Sequence, residues 1–374
     1  MTVLQDRPIL IMAGGTGGHV FPALAVAREL MARDIPVVWM GTRQGLEARV
    51  VPEAGIPMEW ISVSGLRGKR FSKWILAPFM LLGAAWQAMR VLLRRNPRAV
   101  LGMGGFVTGP GGVMARLLGK PLCIHEQNAI AGMTNRWLSR IANRVMEAFP
   151  GSLPANRKAI LTGNPVRVDI ASLPLPEQRI GRHPGTAHVL VLGGSLGAQA
   201  LNEVLPQALG KLPASLRPSV RHQAGVKNLQ QAQALYRDAG ILDQVEVLPF
   251  VEDMAQAYAW ADLVICRAGA LTIAELTAAG VGSVLVPYPY AVDDHQTRNA
   301  EYLVRSGAAI LVPQTKLDAD SLAGLLTQLL DDRERLLAMA QAARALAQPD
   351  ASRSVADICL QACGGQSMPA GGAR

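Results

Sequence analysis

Runs of apolar residues alternate with segments of helical periodicity along most of the chain. Short continuous apolar runs predict buried strands at 9–12, 37–40, 99–101, 122–125, 188–192, 245–248, 263–266 and 284–286. Apolar positions at helical spacing predict helices between them, among others at 22–33, 110–118, 132–141, 198–209, 270–279 and 318–346. Strands that are apolar on both faces and alternate with helices are typical of parallel sheets covered on both sides. The pattern therefore predicts an α/β fold of doubly wound parallel sheets.

A strand, a glycine turn and a helix occur in the same order in each half of the chain. The segment ILIMAGGTGGH at 9–19 has its counterpart in VLVLGGSLGAQ at 189–199. Two tandem domains of this type place their ligand crevices at the carboxyl ends of the strands, and we expect a substrate cleft between them. The predicted divisions are a first domain, a Pro-rich linker, a second domain, a C-terminal helix able to return to the first domain, and a disordered tail: 1–164, 165–185, 186–346, 347–363 and 364–374.

Composition narrows the class of protein and of partner. The chain has 374 residues, half of them apolar, which exceeds what one core usually holds. Its formal charge of +9 indicates an anionic partner: nucleic acid, a phosphorylated ligand or an acidic membrane surface. Four cysteines without a CxxC pair favour a reducing, cytosolic environment. The N-terminus does not resemble a signal peptide, so we expect the chain to stay on the side where it is made.

Glycine-rich turns follow three of the predicted strands. They are GGTGGH at 14–19, MGGFVTGPGG at 103–112 and GGSLGA at 193–198. Without a Cβ atom, glycine allows positive φ angles and lets a ligand approach the backbone amides closely. Where such a turn opens a helix, several N–H groups and the positive end of the helix dipole converge on one anion. Three such turns at strand ends predict binding of phosphate or diphosphate groups.

The residues around these turns exclude two common phosphate-binding classes. A nicotinamide or flavin dinucleotide site needs a third glycine where Val20 stands and an acid at the end of the second strand. The chain has Gly41, Thr42 and Arg43 at that strand end. A P-loop needs a lysine followed by Ser or Thr, and no lysine follows any of the three turns. The pattern therefore favours another kind of phosphorylated ligand.

A histidine, His19, closes the first of these turns. Its predicted place is the first turn of a helix, where the dipole disfavours the imidazolium form and keeps the ring available as a base. A histidine that only hydrogen-bonds the loop would also satisfy the sequence. Because histidine titrates near neutral pH, we predict a catalytic or substrate-contacting role.

Eight segments together resemble the MurG family of N-acetylglucosaminyltransferases. In chain order they are AGGTGGHVFPALAVA, VSGLRGK, GMGGFVTGPGG, HEQNAIAGMTNR, TGNPVR, GGSLGA, YAWADLVICRAGALTIAEL and DDHQTRNA. The resemblance implies a GT-B fold of two Rossmann-like domains, with the acceptor bound mainly by the first and UDP-GlcNAc by the second. The implied reaction moves GlcNAc to lipid I (undecaprenyl-pyrophosphoryl-MurNAc-pentapeptide) and forms lipid II for peptidoglycan. Two diphosphate substrates would account for several glycine turns.

The resemblance leaves one functional alternative and implies no cofactor. Donor loops alone do not specify an acceptor, so another GT-B nucleotide-sugar transferase with a different lipid or small-molecule acceptor is the alternative. The family's fold usually works without a bound metal ion, and VDD at 292–294 is not a D-x-D metal motif. Nucleic acid is not an expected partner, because the chain has no recognised nucleic-acid motif or array of stacking aromatics.

The resemblance also assigns residues to the two substrates. Positions that match the family's donor contacts are Thr16, Gly17, Gly18, Asn128, Arg167, Ser195, Val251, Ala270, Leu271, Thr272, Glu275 and Gln296. The acceptor diphosphate is assigned to Gly14, Gly15, Gly104, Gly105 and Thr108. A carboxylate at Glu275 suits the two hydroxyls of a ribose, and amides at Gln296 and Asn299 suit sugar hydroxyls. Arg267 is interpreted either as a cation for the departing UDP or as part of a structural salt bridge.

The implied mechanism inverts the sugar carbon and requires a base. The base removes the proton of the acceptor's C4 hydroxyl, this oxygen attacks the anomeric carbon of GlcNAc, and UDP departs. His19 is the predicted base, and Glu126 in the segment HEQN is the alternative. General-base catalysis contributes about 10²–10⁴-fold, which sets the loss expected on removing the true base.

A basic and apolar segment at 66–98 carries a prediction about membranes. Its apolar centre is shorter than the roughly 18 residues that a transmembrane span needs. Tryptophan, phenylalanine and leucine beside lysine and arginine suit an interface with anionic lipid, whereas a crossover helix buried on the sheet is the competing interpretation. The predicted membrane patch consists of Trp74, Ile75, Phe79, Leu82 and Trp86 with Lys69, Arg70 and Lys73.

This patch and the family resemblance together predict where the protein works. We expect peripheral association with the cytoplasmic face of the inner membrane, through anionic inner-leaflet phospholipid. Other proteins of cell-wall synthesis and cell division are expected partners.

Overall fold

The computed structural model describes residues 7–63, 71–180, 185–194 and 197–364, with the backbone alone for 71–77 and 292. The chain divides into two compact units. The first contains the residues up to Val166 and those from Asp350 onward, and the second is Arg167–Pro349. Each unit is built on one parallel sheet with helices around it, so the predicted α/β fold class is confirmed.

The sheet of the first unit has seven strands within the described residues. They are β1 (Ile9–Met12), β2 (Val37–Gly41), β3 (Met58–Trp60), β4 (Ala99–Gly102), β5 (Leu122–Glu126), β6 (Arg144–Glu147) and β7 (Ile160–Leu161). The spatial order is β3-β2-β1-β4-β5-β6-β7, and all neighbours are parallel. β1 is completely buried, as its continuous apolar run predicts.

Helices connect these strands and cover the sheet. They are α1 (Gly17–Met31), α2 (Glu47–Glu53), α3 (Phe71–Arg95), α4 (Thr108–Leu117) and α5 (Met133–Leu138). α1 begins five residues before its predicted start at 22, because Gly17 and Gly18, which sequence propensity disfavours in helices, form its first turn. Apolar side chains of α1, including Val20, Leu24 and Leu30, pack against the strands in the core.

The second unit repeats this architecture with six strands in its described part. They are β8 (His188–Leu192), β9 (Ser219–Gln223), β10 (Val245–Leu248), β11 (Leu263–Cys266), β12 (Gly282–Leu285) and β13 (Ala309–Leu311), in the spatial order β10-β9-β8-β11-β12-β13. All neighbouring strands are again parallel.

The helices of the second unit include two short ones inside the predicted linker. In chain order the helices are α6 (Val168–Ala171), α7 (Pro176–Arg179), α8 (Gln199–Gly210), α9 (Leu229–Asp238), α10 (Met254–Trp260), α11 (Ala270–Ala279), α12 (His295–Arg305), α13 (Ala319–Leu330) and α14 (Arg333–Ala345). α6 packs on α11 and α7 packs on α14, so this part of 165–185 belongs to the second unit. The single helix predicted at 318–346 is wrong: it breaks at Asp331–Asp332, where the Asp332 carboxylate caps α14 by accepting the N–H of Arg335.

The last described helix, α15 (Ala351–Ala362), packs in the first unit although it follows the second in sequence. It lies against α1 and the strands β4, β5 and β6. Val355 and Cys359 are fully buried in the same core as β1, and Asp357 forms an ion pair with Arg33 of α1. The predicted disordered tail begins at the end of this helix, and residues 365–374 lie outside the described residues.

The strand order places the glycine turns at the switch point of each sheet. After β1 the chain runs to one side of the sheet, and it returns to the other side with β4; β8 and β11 have the same relation. Ligands of open α/β sheets bind at the carboxyl ends of the two strands that flank such a switch. The turns that follow β1 and β4, and those that follow β8 and β11, are therefore the places to look for a site.

Candidate active site

The first glycine turn, residues 14–19, leads from β1 into α1. Gly15 has a φ of +93°, a conformation that favours glycine. Thr16 is extended, and its carbonyl oxygen accepts hydrogen bonds from the N–H groups of His19 and Val20 at 3.1 and 3.2 Å. The first N–H groups of α1, beginning at Gly17, have no carbonyl partner within the helix and can bind an anion.

The turn after β4 packs directly on the first glycine turn. The N–H of Met103 donates to the carbonyl oxygen of Met12 at 2.8 Å, and Gly104 and Gly105 have φ angles of +99° and +86°. A Cβ on Gly104 would lie 2.6 Å from Cδ2 of His19. A Cβ on Gly105 would overlap the carbonyl oxygen of Gly14. The two turns fit together because these positions are glycine.

Two buried side chains, Thr108 and Trp39, brace the pair of turns. The hydroxyl of Thr108 lies 2.8 Å from the carbonyl oxygen of Gly104 and 3.2 Å from that of Met12. The indole Nε1–H of Trp39 donates to the carbonyl oxygen of Ala13 at 2.9 Å. Thr108 was predicted as an acceptor contact, and its side chain is fully buried, so its hydroxyl faces the protein.

His19 lies partly exposed in the first turn of α1, with its ring against the backbone of Gly104. The structure therefore brings together the predicted base and the predicted diphosphate turns at one end of one sheet. A ligand anchored on the bare backbone of these turns would lie beside the imidazole.

Glu126, the alternative base, is 2% exposed at the end of β5. Its carboxylate accepts the N–H of Asn128 at 2.9 Å, the N–H of Gly132 at 3.1 Å and the side-chain amide of Asn135 at 2.9 Å. Burial raises its pKa, and these hydrogen bonds, first among them that from the Asn128 N–H, oppose the rise. The carboxylate shapes the loop that carries Asn128, a predicted donor contact.

His125, next to Glu126, has an internal role. It is fully buried, with Nε2 at 3.0 Å from the carbonyl oxygen of Gly163 and Nδ1 at 3.3 Å from the amide nitrogen of Gln127. Burial lowers its pKa to about 4, and the hydrogen bond to Gly163 acts in the opposite direction. This ring is therefore neutral near pH 7, and its two nitrogens are used inside the protein.

The glycine turn at residues 193–198 follows β8 in the second unit and precedes α8. We call it the second glycine turn. Gly194 and Gly197 have φ angles of +79° and +77°. A Cβ on Gly197 would overlap the carbonyl oxygen of Ala224, and this oxygen also accepts the side-chain amide of Asn202 at 3.0 Å. Ser195, a predicted donor contact, lies outside the described residues.

The turn after β11 opens α11. Gly269 is extended and precedes the helix, so the predicted donor contacts Ala270, Leu271 and Thr272 form its first turn. Asn299 supports the turn from α12, because its buried side-chain amide donates to the carbonyl oxygen of Ala268 at 3.1 Å. The helix start is held in place while its first N–H groups stay available to an anion.

Glu275 lies one helical turn further along α11, mostly enclosed by its neighbours. Burial raises its pKa to about 7, while the hydroxyl of Tyr258, which donates to Oε2 at 3.1 Å, and the charge of Arg167 lower it. Asp169 acts in the raising direction. Arg167 is also a predicted donor contact, and its Nη2 is buried with no hydrogen-bond partner in the part of the chain that the structure describes.

Gln296 and Val251 lie on two further loops of the second unit. The Oε1 atom of Gln296 accepts the N–H of Tyr288 at 2.9 Å, which leaves the amide NH₂ group for a ligand. Val251 is 6% exposed, so its side chain is buried. Beside it, Phe250 is half exposed and offers an aromatic face.

Arg267 borders a cavity of about 620 Å³ in the second unit, next to the second glycine turn. Its guanidinium donates to the carbonyl oxygens of Val286 and Pro287 at 3.0 and 3.2 Å and to Oε1 of Gln314 at 2.6 Å. These partners are neutral, so its positive charge is not cancelled by a carboxylate. The cavity is lined by Gly193, Gly194, Gly197, Ala198, Gln199, Ala200, Asn228, Arg267, Tyr288, Tyr290 and Gln314.

The predicted membrane patch lies on α3. Phe79, Leu82 and Trp86 are 71%, 68% and 54% exposed, and the guanidinium of Arg90 lies over the Trp86 ring. The side chains of Lys73, Trp74 and Ile75, and the residues Lys69 and Arg70, lie outside the described part.

Exposed apolar side chains also occur on the two helices that follow α3 in the packing. α3 packs on α4 and α4 packs on α5, where Leu117, Met133 and Trp137 are also exposed. We call the exposed apolar residues of α3, α4 and α5 the apolar face: Phe79, Leu81, Leu82, Trp86, Leu93, Val113, Leu117, Met133 and Trp137. Within the described residues, no helix has the length and apolar character that crossing a membrane requires.

Glu47 is the residue at these turns that the sequence analysis does not single out. It is a fully buried carboxylate that accepts the N–H of Gly15 at 3.0 Å. The sequence holds one indirect signal: glycines at 41 and 45 precede Glu47 and leave room for a side chain that turns inward.

Comparison with known protein families agrees with this geometry. The glycosyltransferase family 28 N-terminal domain matches residues 9–147, and the C-terminal domain of the same family matches residues 188–355. A relative from Marinobacter nauticus is 57% identical over 98% of this chain and all of its own length. One from Methylococcus capsulatus is 58% identical over 96% of this chain and 99% of its own. Both are named UDP-N-acetylglucosamine–N-acetylmuramyl-(pentapeptide) pyrophosphoryl-undecaprenol N-acetylglucosamine transferase.

Solved structures extend the agreement to the fold. The crystal structure of MurG from Acinetobacter baumannii is 44% identical and matches with a TM-score of 0.83, covering 95% of this chain and 100% of that one. The calicheamicin glycosyltransferase CalG4 is 17% identical and matches with a TM-score of 0.68 over 96% of this chain and 99% of its own, which shows a shared fold alone. The predicted GT-B architecture is confirmed. By sequence and by fold, this chain belongs to the MurG family of family 28 glycosyltransferases.

Proposed function

We propose that this chain transfers N-acetylglucosamine from UDP-GlcNAc to the C4 hydroxyl of MurNAc in lipid I and thereby forms lipid II. The observation that carries the proposal is the identity of 57–58% over nearly the whole chain to enzymes named for this transfer. The chain is an N-acetylglucosaminyltransferase, and UDP-GlcNAc and lipid I are its substrates. Both substrates contain a diphosphate, and each unit offers glycine turns at the end of its sheet that suit one.

The second unit binds the donor in this proposal. The first N–H groups of α11 and the unpartnered Nη2 of Arg167 are suited to the diphosphate, and the carboxylate of Glu275 to the ribose hydroxyls. The free amide group of Gln296 is suited to the sugar, and the backbone at Val251 to the uracil.

The first unit binds the acceptor diphosphate on the bare backbone of Gly14, Gly15, Gly104 and Gly105. Gly104 and Gly105 have to be glycine, because a side chain there would collide with His19 or with the backbone of Gly14. Thr108 contributes to this proposal by holding the turn and not by direct contact, since its hydroxyl is buried.

The chemistry requires one base and a stabilised leaving group. The acceptor O4–H proton passes to the base, the O4–C1 bond forms, and the bond from C1 to the β-phosphate oxygen breaks with its electron pair leaving on UDP. We assign the base to His19, which is partly exposed at the end of the first glycine turn and lies against Gly104. Glu126 is the weaker candidate, because its carboxylate is buried and accepts hydrogen bonds from its own loop.

The apolar face supports a peripheral location at the cytoplasmic face of the inner membrane, where lipid I would be reached. Apolar rings flanked by arginine favour an interface of anionic inner-leaflet phospholipid. Other cell-wall synthesis and division proteins are further proposed partners, for which the location is the only support.

One assay tests the proposed reaction. Purified protein is incubated with labelled UDP-GlcNAc and a lipid I analogue, and the lipid-linked disaccharide is measured. We expect label in the disaccharide with inverted configuration at the transferred sugar. Transfer to another acceptor but not to the lipid I analogue would assign the chain to a different GT-B activity.

A further inference from the structure

Glu47 is a charged side chain with no exposed surface, in the first turn of α2. Its Oε2 accepts the N–H of Gly15 at 3.0 Å. Its Oε1 accepts the N–H of Thr42 at 3.0 Å and the hydroxyl of Thr42 at 2.8 Å. All three partners are donors, which matches a carboxylate that only accepts hydrogen bonds.

Three glycines make the room for this carboxylate. A Cβ on Gly14 would lie 2.7 Å from Oε1 of Glu47, and one on Gly41 would lie 2.8 Å from its Cγ. A Cβ on Gly45 would overlap the carboxylate itself. Gly45 and Gly41 have ordinary φ angles, so the space and not the backbone conformation requires glycine there. These glycines therefore belong to one arrangement centred on Glu47.

The carboxylate fixes one peptide plane of the first glycine turn. The peptide that joins Gly14 to Gly15 is trans, so its N–H and its C=O point in opposite directions. The N–H points to Glu47, and the carbonyl oxygen lies against Gly105 in the turn after β4. This plane is held from both sides immediately before Thr16 and the helix that carries His19.

Charge attraction does not explain the position of Glu47. A carboxylate behind the turn repels a bound diphosphate and takes one of the turn's N–H groups away from it. Burying a carboxylate also costs free energy before its hydrogen bonds compensate. What Glu47 can contribute is orientation: it fixes the direction in which the first glycine turn presents its other N–H groups and the imidazole of His19.

We propose that Glu47 is a positioning residue for transfer: by clamping the Gly14–Gly15 peptide against Gly105, it orients the first glycine turn and His19 toward the acceptor. This inference rests on the proposed function of that turn. Misplacement of reacting groups by about 1 Å costs roughly 10²-fold in rate, so the effect of losing the clamp is expected in kcat.

A matched control exists in the same unit. Glu147 at the end of β6 is 7% exposed and accepts the N–H of Gly151 at 3.0 Å, the hydroxyl of Ser152 at 3.1 Å and the N–H of Leu153 at 3.3 Å. It performs the same local task on a loop that carries no predicted site residue. Glu147→Gln therefore reports what the loss of a loop-bracing carboxylate does to stability alone.

The experiment compares Glu47→Gln with Glu147→Gln in the full chain. We expect Glu47→Gln to lower kcat for transfer to the lipid I analogue by about 10–100-fold, with the affinity for UDP unchanged within about twofold. Glu147→Gln should keep kcat within about twofold at a similar loss of thermal stability. Hydrogen exchange of the peptide 12–20 should accelerate in Glu47→Gln and not in Glu147→Gln.

The outcomes separate the clamp from the reaction it serves. Wild-type kcat in Glu47→Gln, or an equal loss in both variants, overturns the clamp. If Glu47→Gln does not fold, Thr42→Val removes one of the three donors, and a loss of kcat of about threefold at unchanged UDP affinity is then required. Failure of the wild type to form lipid II removes the proposed function, and unchanged exchange at 12–20 in Glu47→Gln would then remove the clamp independently.

Discussion

The first and second glycine turns use the same backbone device and differ in the side chains around it. In the first turn, the buried carboxylate of Glu47 holds an N–H group from behind, and a histidine stands at the start of the helix. In the second turn, neutral amides take the bracing place, since Asn202 and Asn228 both donate to the carbonyl oxygen of Ala224. Gln199 starts the helix there.

This difference separates chemistry from binding. A titratable ring beside a turn can accept a proton during the reaction, whereas the described side chains around the second turn, which are amides and an arginine, are suited to binding. The repeat in the sequence therefore does not mean that the two sites perform the same task. The first turn is the place where substitutions should change kcat, and the second is the place where they should change donor affinity.

The largest effect is expected for His19→Ala. Removing the base should lower kcat for transfer by about 10²–10⁴-fold, while UDP affinity stays at the wild-type value because the second unit is intact. Steady-state kinetics and UDP titration measure the two quantities. His125→Gln is a control for loss of an imidazole elsewhere in the unit, and near-full kcat in His19→Ala would refute the assignment.

Alanine substitutions at one glycine of each site should affect different quantities, transfer in the first unit and UDP affinity in the second. In Gly105→Ala the new methyl group overlaps the Gly14 carbonyl oxygen, so transfer should fall about 10–100-fold with UDP affinity retained. In Gly197→Ala the overlap is with Ala224, so UDP affinity should fall about tenfold or more.

Gly151→Ala controls for the backbone conformation in this pair. Gly151 has a φ of +77° with open space around it, so alanine should cost about 1 kcal/mol of unfolding free energy and leave both activities intact. If Gly105→Ala weakened UDP binding as much as Gly197→Ala does, the division of tasks between the turns would be wrong.

The affinity for UDP-GlcNAc should fall as the pH is lowered through the pKa of Glu275, which is about 7. Only the carboxylate form accepts both ribose hydroxyls, so the dissociation constant should rise about tenfold from pH 8 to pH 6. Calorimetric titration across this range measures it. Tyr258→Phe removes a hydrogen bond that lowers this pKa, so its midpoint should move to higher pH. If the affinity of Glu275→Gln for UDP-GlcNAc still falls between pH 8 and pH 6, Glu275 is not the cause of the pH dependence.

The smallest effect is expected at the apolar face. Phe79→Ser should reduce partition onto anionic vesicles by about fivefold and leave kcat with a water-soluble acceptor analogue unchanged. Val168→Ser, at a 77% exposed apolar residue of the second unit, is the matched control. Vesicle flotation at low and high salt measures both, and equal partition of the two variants would exclude the face as the membrane contact.

The strands that the sequence predicts are those whose buried residues are mostly apolar and follow one another in the chain. All eight predicted runs overlap observed strands, whereas β3, β6, β7, β9 and β13 were not singled out. β9 shows why: its sequence SVRHQ reads as polar, yet His222 is buried because its Nδ1 pairs with the hydroxyl of Tyr236 at 2.8 Å. A polar side chain can be buried when a partner distant in sequence satisfies it, and a local pattern does not reveal that partner.

The candidate site likewise has a part that the sequence predicts and a part that depends on contacts between distant residues. The first glycine turn and His19 are adjacent in sequence, so their joint position at a strand end could be predicted. Glu47 lies 32 residues from the amide that it holds, and its role depends on which strands become neighbours. The interior position of the Thr108 hydroxyl likewise follows from the contact of β1 with the turn after β4.

The return of α15 to the first unit has a consequence for protein engineering. Because the chain leaves the first unit after Val166 and re-enters it at Asp350, the second unit, which is the proposed donor-binding half, is topologically an insertion. A chimera that exchanges donor preference between homologues therefore requires two crossover points, one on each side of the inserted block. A single-junction hybrid would supply α15 from one parent and the core residues it covers from the other.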